Sequence, residues 1–421
     1  MTITAELLTI GDELLYGQVV NTNAAWMGTE LGERGVRMVQ ITSVSDDAEA
    51  IVAALDAART RANAVLITGG LGPTKDDLTK HVLARYFGAE LVLHEPTLRH
   101  VEDIFQRFNR PMLAVNRAQA LVPANCEVVP NPLGTAPGMW FDDGGVVFVS
   151  MPGVPFEMKR MMTDTVLPRL TARFQPPALR HRVVQIVGLG ESFAAERIST
   201  WEDSLPAYLK LAYLPGMWQL RLRLTGLLPD GMTADALDAE MAERIAALYP
   251  LIGEFIFAEG EVTLEEAVGK LLSENALTIG TAESCTGGYV AYRLTSVPGA
   301  SAYVRGGIVA YDDAIKQSAL GVRPETLATY GAVSEETVRE MAEGARRALN
   351  CDIAIATSGI AGPGGGTPDK PVGTICIGLS DAAGIISRRF SFDRGRALNI
   401  EYTTVQVLEL VRRRVAELVN G

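Results

Sequence analysis

The sequence predicts an α/β protein of three domains: a three-layer α/β domain over residues 1–170, a small α+β domain over 177–257, and an α/β domain over 262–421. Three observations predict it. Short apolar runs alternate with amphipathic stretches through the first and last thirds, the order that builds βαβ units and a mainly parallel sheet. Gln175-Pro176-Pro177 breaks the alternation and reads as a linker. The 421-residue length exceeds one ordinary core, and 48% hydrophobic residues supply several.

In the first domain the predicted order is strand Ala5 to Ile10, helix Asn21 to Glu33, strand Arg37 to Val44, helix Asp47 to Arg61 and strand Ala64 to Thr68. Strand Val146 to Ser150 and helix Val154 to Val166 extend it. The middle domain reads as a βαββαβ unit, with strands at Arg182 to Val187, Leu209 to Leu214, Gln219 to Thr225 and Glu254 to Phe257 around helices Glu191 to Trp201 and Ala234 to Leu248. It carries no obvious chemistry and reads as a spacer or dimerisation module. The last domain opens with a helix from Thr263 to Glu274. Strands follow at Leu277 to Ala282, Val304 to Ala310, Ile353 to Thr357, Gly373 to Leu379 and Ile385 to Phe392. A final helix places Leu408, Val411, Val415 and Leu418 on one face.

Composition excludes several function classes. A net charge of −12 argues against a general nucleic-acid or anionic-membrane surface, because phosphate binding is driven by Lys and Arg. No stretch approaches the length of a membrane span, and the amino terminus lacks the basic and apolar regions of a signal peptide. Cys126, Cys285, Cys351 and Cys376 have no metal-site or redox-motif spacing, so reduced thiols in a cytoplasmic protein are expected.

Two segments carry candidate chemistry. In the first domain, Thr68-Gly69-Gly70-Leu71-Gly72-Pro73-Thr74-Lys75-Asp76-Asp77-Leu78-Thr79 lies between a strand and a helix. Gly69, Gly70 and Gly72 permit close backbone approach to a ligand. Thr74 and Thr79 offer hydroxyls, and the helix amino terminus favours phosphate. Asp76 and Asp77 would repel that phosphate unless a divalent cation bridged them, and hard cations take oxygen ligands. Asp12 and Glu13, at the end of the first strand, are placed to join the same site. The alternative is that Asp77 caps the following helix.

In the third domain, Glu283-Ser284-Cys285-Thr286-Gly287-Gly288 ends an apolar strand. Ser284 is a candidate nucleophile, with the amides of Gly287 and Gly288 as oxyanion donors and Thr286 beside them. All four histidines precede residue 182, so a base must come from another residue type. Lys316, five residues after Tyr311 at a strand end, is the candidate. Ser358-Gly359 and Arg394 end other strands. The Arg394 guanidinium suits a phosphate. Cys285 is the rival nucleophile if a helix terminus activates it. Ser284 as a helix cap and Lys316 as a solvated helix residue remain the plain alternatives.

Gly69-Gly70-x-Gly72-x-Thr74-x-x-Asp77-x-Thr79 resembles the signature of the molybdopterin-binding fold. With Gly11-Asp12-Glu13-Leu14, Gly134-Thr135-Ala136-Pro137-Gly138 and Pro152-Gly153-Val154-Pro155, it is similar to the amino-terminal domain of the CinA family. The resemblance implies a metal-dependent ADP-ribose pyrophosphatase, with a divalent metal carried by acidic residues such as Asp12, Asp76 and Asp77.

The third domain resembles the CinA carboxy-terminal family through Ala282 to Gly288, Tyr311 with Lys316, Gly331-Ala332-Val333-Ser334, Gly359-Ile360-Ala361-Gly362-Pro363 and Lys370-Pro371-Val372-Gly373-Thr374. This implies a cofactor-free deamidase of nicotinamide mononucleotide. By position, Ser284 is its nucleophile, Tyr311 and Lys316 assist, and Ser358 and Arg394 contact substrate. It also implies a homodimer. Two positions depart from the family pattern: Ser358 stands where many members have threonine, and the segment around Arg396 does not align cleanly with a second family arginine. The competing expectations are a non-catalytic nucleotide- or pterin-binding adaptor linked to competence or DNA repair, or a chain with one active domain.

Overall fold

The structure, a computed structural model, describes residues 3–74, 77–176 and 179–420. The chain divides into two compact units, residues 1–181 with 226–237, and residues 182–225 with 238–421.

The first unit starts with β1 (Thr4–Ile10), followed by β2 (Arg37–Val44) and β3 (Ala64–Thr68). The intervening helices begin at side-chain caps. Asn21 accepts from the Ala24 amide at 3.0 Å ahead of Thr22–Glu33, and Asp47 accepts from Glu49 and Ala50 ahead of Ala48–Arg59. β4 (Leu91–Leu93) and β5 (Leu121–Pro123) form a separate antiparallel ribbon. β6 (Glu127–Val129), β7 (Gly138–Asp143) and β8 (Val146–Met151) complete a six-stranded sheet of order β2-β1-β3-β8-β7-β6.

The first four strands of that order run parallel, as expected, while β7 and β6 form an antiparallel edge that the sequence reading leaves as loop. The signal was the pair Gly144-Gly145. With φ of 61° and 87°, it makes the two-residue turn whose twist suits a tight hairpin. Buried residues cover both sheet faces, Met27, Leu31, Met158 and Met161 on one and Ile51, Leu55, Val82 and Leu83 on the other, which gives the three-layer architecture. The helix expected at 154–166 runs further, from Pro155–Met161 through a π turn into Leu167–Phe174.

The second unit contains two sheets. β9 (Leu179–Val187), β10 (Leu209–Pro215), β11 (Gln219–Leu227) and β12 (Ile256–Glu259) form the α+β portion in order β10-β11-β9-β12. Its last strand begins two residues later than expected because Gly253–Phe255 forms a 3-10 turn. β13 (Ile279–Glu283), β14 (Val304–Val309), β15 (Ile353–Gly359), β16 (Thr374–Asp381) and β17 (Gly384–Ser391) form a sheet of order β14-β13-β15-β16-β17.

β14, β13 and β15 are parallel, whereas β16 and β17 are antiparallel additions. Helices Leu264–Glu274 and Arg396–Asn420 contribute to the core on one side, and Glu335–Leu349 to that on the other. Leu408, Val411 and Val415 are fully buried, but Leu418 is 39% exposed, so the expected stripe stops one turn short of its predicted end. Trp218, at the turn between β10 and β11, packs edge-on against Phe392 at 4.5 Å and Tyr402 at 5.1 Å. No described helix is long and apolar enough to cross a membrane.

Candidate functional site

β13 ends at Glu283, whose carboxylate is buried. The chain then turns through Ser284 to Gly288 into the short helix Tyr289–Thr295. Glu283 Oε2 accepts from Thr286 Oγ1 at 2.7 Å, Gly288 N at 2.9 Å and Val290 N at 3.0 Å, and Oε1 accepts from Ala291 N at 2.8 Å. A carboxylate at the positive end of a helix satisfies amides that would otherwise lack partners. Gly287 N donates to Ser284 O at 3.1 Å. The expected oxyanion donors Gly287 and Gly288 are therefore both engaged within the turn, and Glu283 is the reason for the second. Thr286 is also internal: its hydroxyl bonds Glu283 and lies 2.7 Å from Thr357 Oγ1. Its amide makes no hydrogen bond among the described residues.

Strand register sets the neighbours. Glu283 lies opposite Val309 on β14 and Thr357 on β15, so Ser284, Ala310 and Ser358 follow at one sheet edge. Ala310 N donates to Glu283 O at 2.8 Å and Ser284 N to Thr357 O at 3.0 Å, which continues both ladders by one step. Ser284 is partly exposed, and its hydroxyl has no hydrogen-bond partner among the described residues. Lys316 sits on helix Asp313–Leu320, begun by the Asp312 cap, and is only 1% exposed. Its Nζ donates to Tyr311 O at 3.1 Å and Asp313 Oδ1 at 3.0 Å. This is no solvated helix lysine.

The Tyr311 phenol is exposed and accepts from Arg396 Nη2 at 3.1 Å, while Arg396 Nη1 donates to Gly362 O at 3.2 Å. Arg396 thus ties the β14 end to the glycine-rich loop after β15. Asn399 makes a second tie, donating to Ala361 O at 2.9 Å and accepting from Arg394 N at 3.0 Å. The Arg394 side chain is exposed and makes no hydrogen bond or ion pair among the described residues. Ser358 is buried and donates to Ala332 O at 2.7 Å, so its hydroxyl fixes the neighbouring loop. Gly359 is closely packed: a Cβ there would lie 3.0 Å from Thr374 O and 3.2 Å from Cys285 Sγ. Burial pushes the Cys285 thiol up to about 12, which removes it as the rival nucleophile.

In the first unit, a cavity of about 510 Å³ opens at the carboxyl ends of β1, β3 and β8, where open α/β sheets bind ligands. Gly69, Gly70, Gly72 and Asp77 line it. Chain crowding accounts for two of these glycines directly. A Cβ on Gly69 (φ 111°) would lie 2.1 Å from Ile10 O, and one on Gly70 (φ 62°) would lie 2.1 Å from Thr79 Oγ1.

Thr79 itself is fully buried beneath Gly70, off the cavity wall, and its hydroxyl has no hydrogen-bond partner among the described residues. Thr74 is exposed and also off the wall. Its amide and hydroxyl both donate to Asp77 Oδ2, so Asp77 closes the turn before the helix instead of capping it. Asp12 opens the short helix Asp12–Leu15, and the turn at Gly11 brings its neighbour Glu13 to the wall instead. Asp76 lies outside the described residues. Asp46 and Glu157 add two carboxylates to the wall that sequence reading missed, since each comes from a distant loop or helix start. Among the described residues, no three His, Cys, Asp or Glu side chains are grouped closely enough to hold a metal alone.

Residues 6–172 match the family model described as a probable molybdopterin binding domain, and residues 261–415 match the CinA C-terminal domain. The chain is similar to a CinA-like protein of Cytophaga hutchinsonii, 47% identical over 416 residues and covering 99% of both chains. The chain belongs to the CinA family. A CinA-like protein of Flavobacterium psychrophilum is 41% identical over 98% of both chains. A solved competence/damage inducible protein, CihA from Agrobacterium tumefaciens, aligns with 36% of this chain and 93% of its own at 37% identity and a TM-score of 0.36.

In this CinA-family chain the sheet edge gathers Ser284, Tyr311, Lys316 and Ser358, and the Arg394 turn is tied to the adjoining loop. Three contributors were missed by sequence reading. Glu283 belonged to the motif and Asn399 to the segment around Arg396 that does not align, and neither had a role there. Arg396 does not align, yet reaches Tyr311.

Proposed function

We propose that this CinA-family protein is a bifunctional hydrolase of pyridine-nucleotide metabolism, deamidating nicotinamide mononucleotide at the β13 edge and hydrolysing the diphosphate of ADP-ribose in the first-unit cavity. The observation that carries the first activity is the buried Lys316 amine at the Tyr311 carbonyl, just past the end of the strand that pairs with the one leading to Ser284. Tyr311 O and Asp313 Oδ1 fix the amine at this sheet edge with two hydrogen bonds, the placement a proton acceptor for Ser284 needs.

In the proposed reaction Ser284 Oγ bonds to the carboxamide carbon while its proton passes to Lys316 Nζ. The Thr286 amide replaces the two glycine amides as oxyanion donor. Collapse breaks the C–N bond, the proton on Lys316 goes to the departing nitrogen, and ammonia leaves. Water then adds to the acyl-serine, again giving its proton to Lys316, and the acid departs with Ser284 restored. The unpaired Arg394 guanidinium suits the substrate phosphate, while Tyr311, Ser358 and Asn399 hold the surrounding loops. Chromatographic conversion of nicotinamide mononucleotide to nicotinic acid mononucleotide tests the reading, and its absence would overturn it.

For the cavity, the supporting observation is charge. Glu13, Asp46, Asp77 and Glu157 line it, with no Lys or Arg among its described wall residues. A bare diphosphate would be repelled there. These carboxylate oxygens fit a hard divalent cation of the kind that takes one or two carboxylates and completes its shell with water and phosphate. Asp77 with Glu13 or Asp46 would hold it, and when bound it supplies charge neutralisation and an acidified water. ADP-ribose turnover should be abolished by chelator and lowered about 10²-fold or more in Asp77→Ala. Turnover indifferent to both would sink the metal-dependent reading.

A further inference from the structure

We propose that a second, smaller cavity of the first unit is the seat of the planar heteroaromatic base of the nucleotide whose diphosphate enters the larger one. The proposal rests on the diphosphatase reading and adds where the base lies. The smaller cavity measures about 300 Å³. Pro96, Pro130, Pro137 and Val128 give it apolar walls, with His94 and His100 beside them. Ligand pockets run from roughly 300 to 1,000 Å³, so this one has room for a ring fragment and the larger one for the ribose and phosphates.

Three features favour a flat, uncharged ring. No Asp, Glu, Lys or Arg lines the smaller cavity among the described residues, so it has no fixed charge to pair with phosphate or cation. Its proline, valine and imidazole surfaces offer an aromatic face dispersion contacts and burial, and Thr97, Asn131 and Thr135 add uncharged polar groups. His100 Nε2 faces Gly134 O at 3.3 Å. A carbonyl only accepts, so Nε2 is the donor of this contact, which fixes the orientation of the imidazole in the cavity wall.

The two cavities adjoin. Thr135 lines both. The loop between them is fixed by Asn131, which donates to Ala136 O at 2.9 Å and Glu157 Oε2 at 2.7 Å and accepts from the amides of Leu133 and Gly134. Glu157 lines the larger cavity, so this one side chain ties the wall of the base seat to that of the diphosphate site.

The test uses the full chain, with adenosine as a probe that has a base but no phosphate. Saturation-transfer NMR should show adenosine binding with or without magnesium, with the ring protons receiving most saturation. Val128→Phe fills the cavity and should abolish that signal; it should raise the KM for ADP-ribose about tenfold with kcat within twofold, and leave ribose 5-phosphate binding unchanged. His100→Ala, which adds no bulk, should weaken adenosine several-fold, and circular dichroism melts verify that both variants fold. No adenosine binding by the wild type, or binding that survives both substitutions in folded protein, would overturn the base seat. Adenosine binding without ADP-ribose hydrolysis would leave the seat standing and sink the diphosphatase reading instead.

Discussion

The Glu283 carboxylate accepts the Gly288 amide at 2.9 Å, and so the strand that presents Ser284 also anchors the helix that follows it. Four donors converge on this one side chain. Glu283→Ala would leave buried amides unpaired at about 1–3 kcal/mol each before relaxation, so a net loss of about 3 kcal/mol is expected. For a unit of this size that lowers Tm by about 6–12 °C in calorimetry. An unchanged Tm would show that the turn does not depend on Glu283.

Cys285 should be chemically silent. With its thiol held near 12 by burial, the thiolate fraction at pH 8 is on the order of one in ten thousand. Peptide mapping after iodoacetamide at pH 8 should find Cys285 unmodified in folded protein, with deamidation intact. Rapid alkylation with loss of activity would return Cys285 to candidacy.

Much of this arrangement was legible in the sequence because it depends on where strands end. Alternating apolar runs located β1, β2, β3, β13, β14 and β15, and parallel strands bring their carboxyl ends together, which placed Ser284 near Tyr311 and Lys316. What stayed hidden depends on side-chain direction and on partners distant in sequence. Gly287 and Gly288 looked like free donors because nothing in the motif says that Glu283 folds back onto their turn. Thr79 looked like a ligand contact, but Gly70 seals it beneath the loop. Asp12 and Glu13 were indistinguishable until the Gly11 turn set which one reached the cavity.

Thr79→Val should cost nothing. The hydroxyl is fully buried with no partner among the described residues, and valine keeps the shape while removing the polar group. Stability should rise by about 1 kcal/mol in urea unfolding, with ADP-ribose turnover unaltered. Loss of turnover in a folded variant would mean that Thr79 reaches the ligand after all.

Lys80 predicts a pH dependence. Burial lowers its ammonium to about 8, although Nζ also donates to Ala118 O and Gln119 O. The unfolded chain keeps the usual value near 10.4. Between these values the unfolded state binds more protons, so this group's penalty is full below pH 8 and fades as pH rises towards 10. The stability difference between wild type and Lys80→Met, measured by urea unfolding from pH 7 to 10, should shift in favour of wild type with rising pH, by up to about 3 kcal/mol. A flat difference would contradict the assignment.

The most direct test of the central claim is ammonia release from nicotinamide mononucleotide by purified wild type, Ser284→Ala and Lys316→Met. The account predicts release by wild type, a fall of about 10³-fold or more in Ser284→Ala, and a fall of about 10²–10⁴-fold in Lys316→Met, whose side chain keeps much of the buried stem. Unchanged ammonia release by folded Ser284→Ala would contradict it.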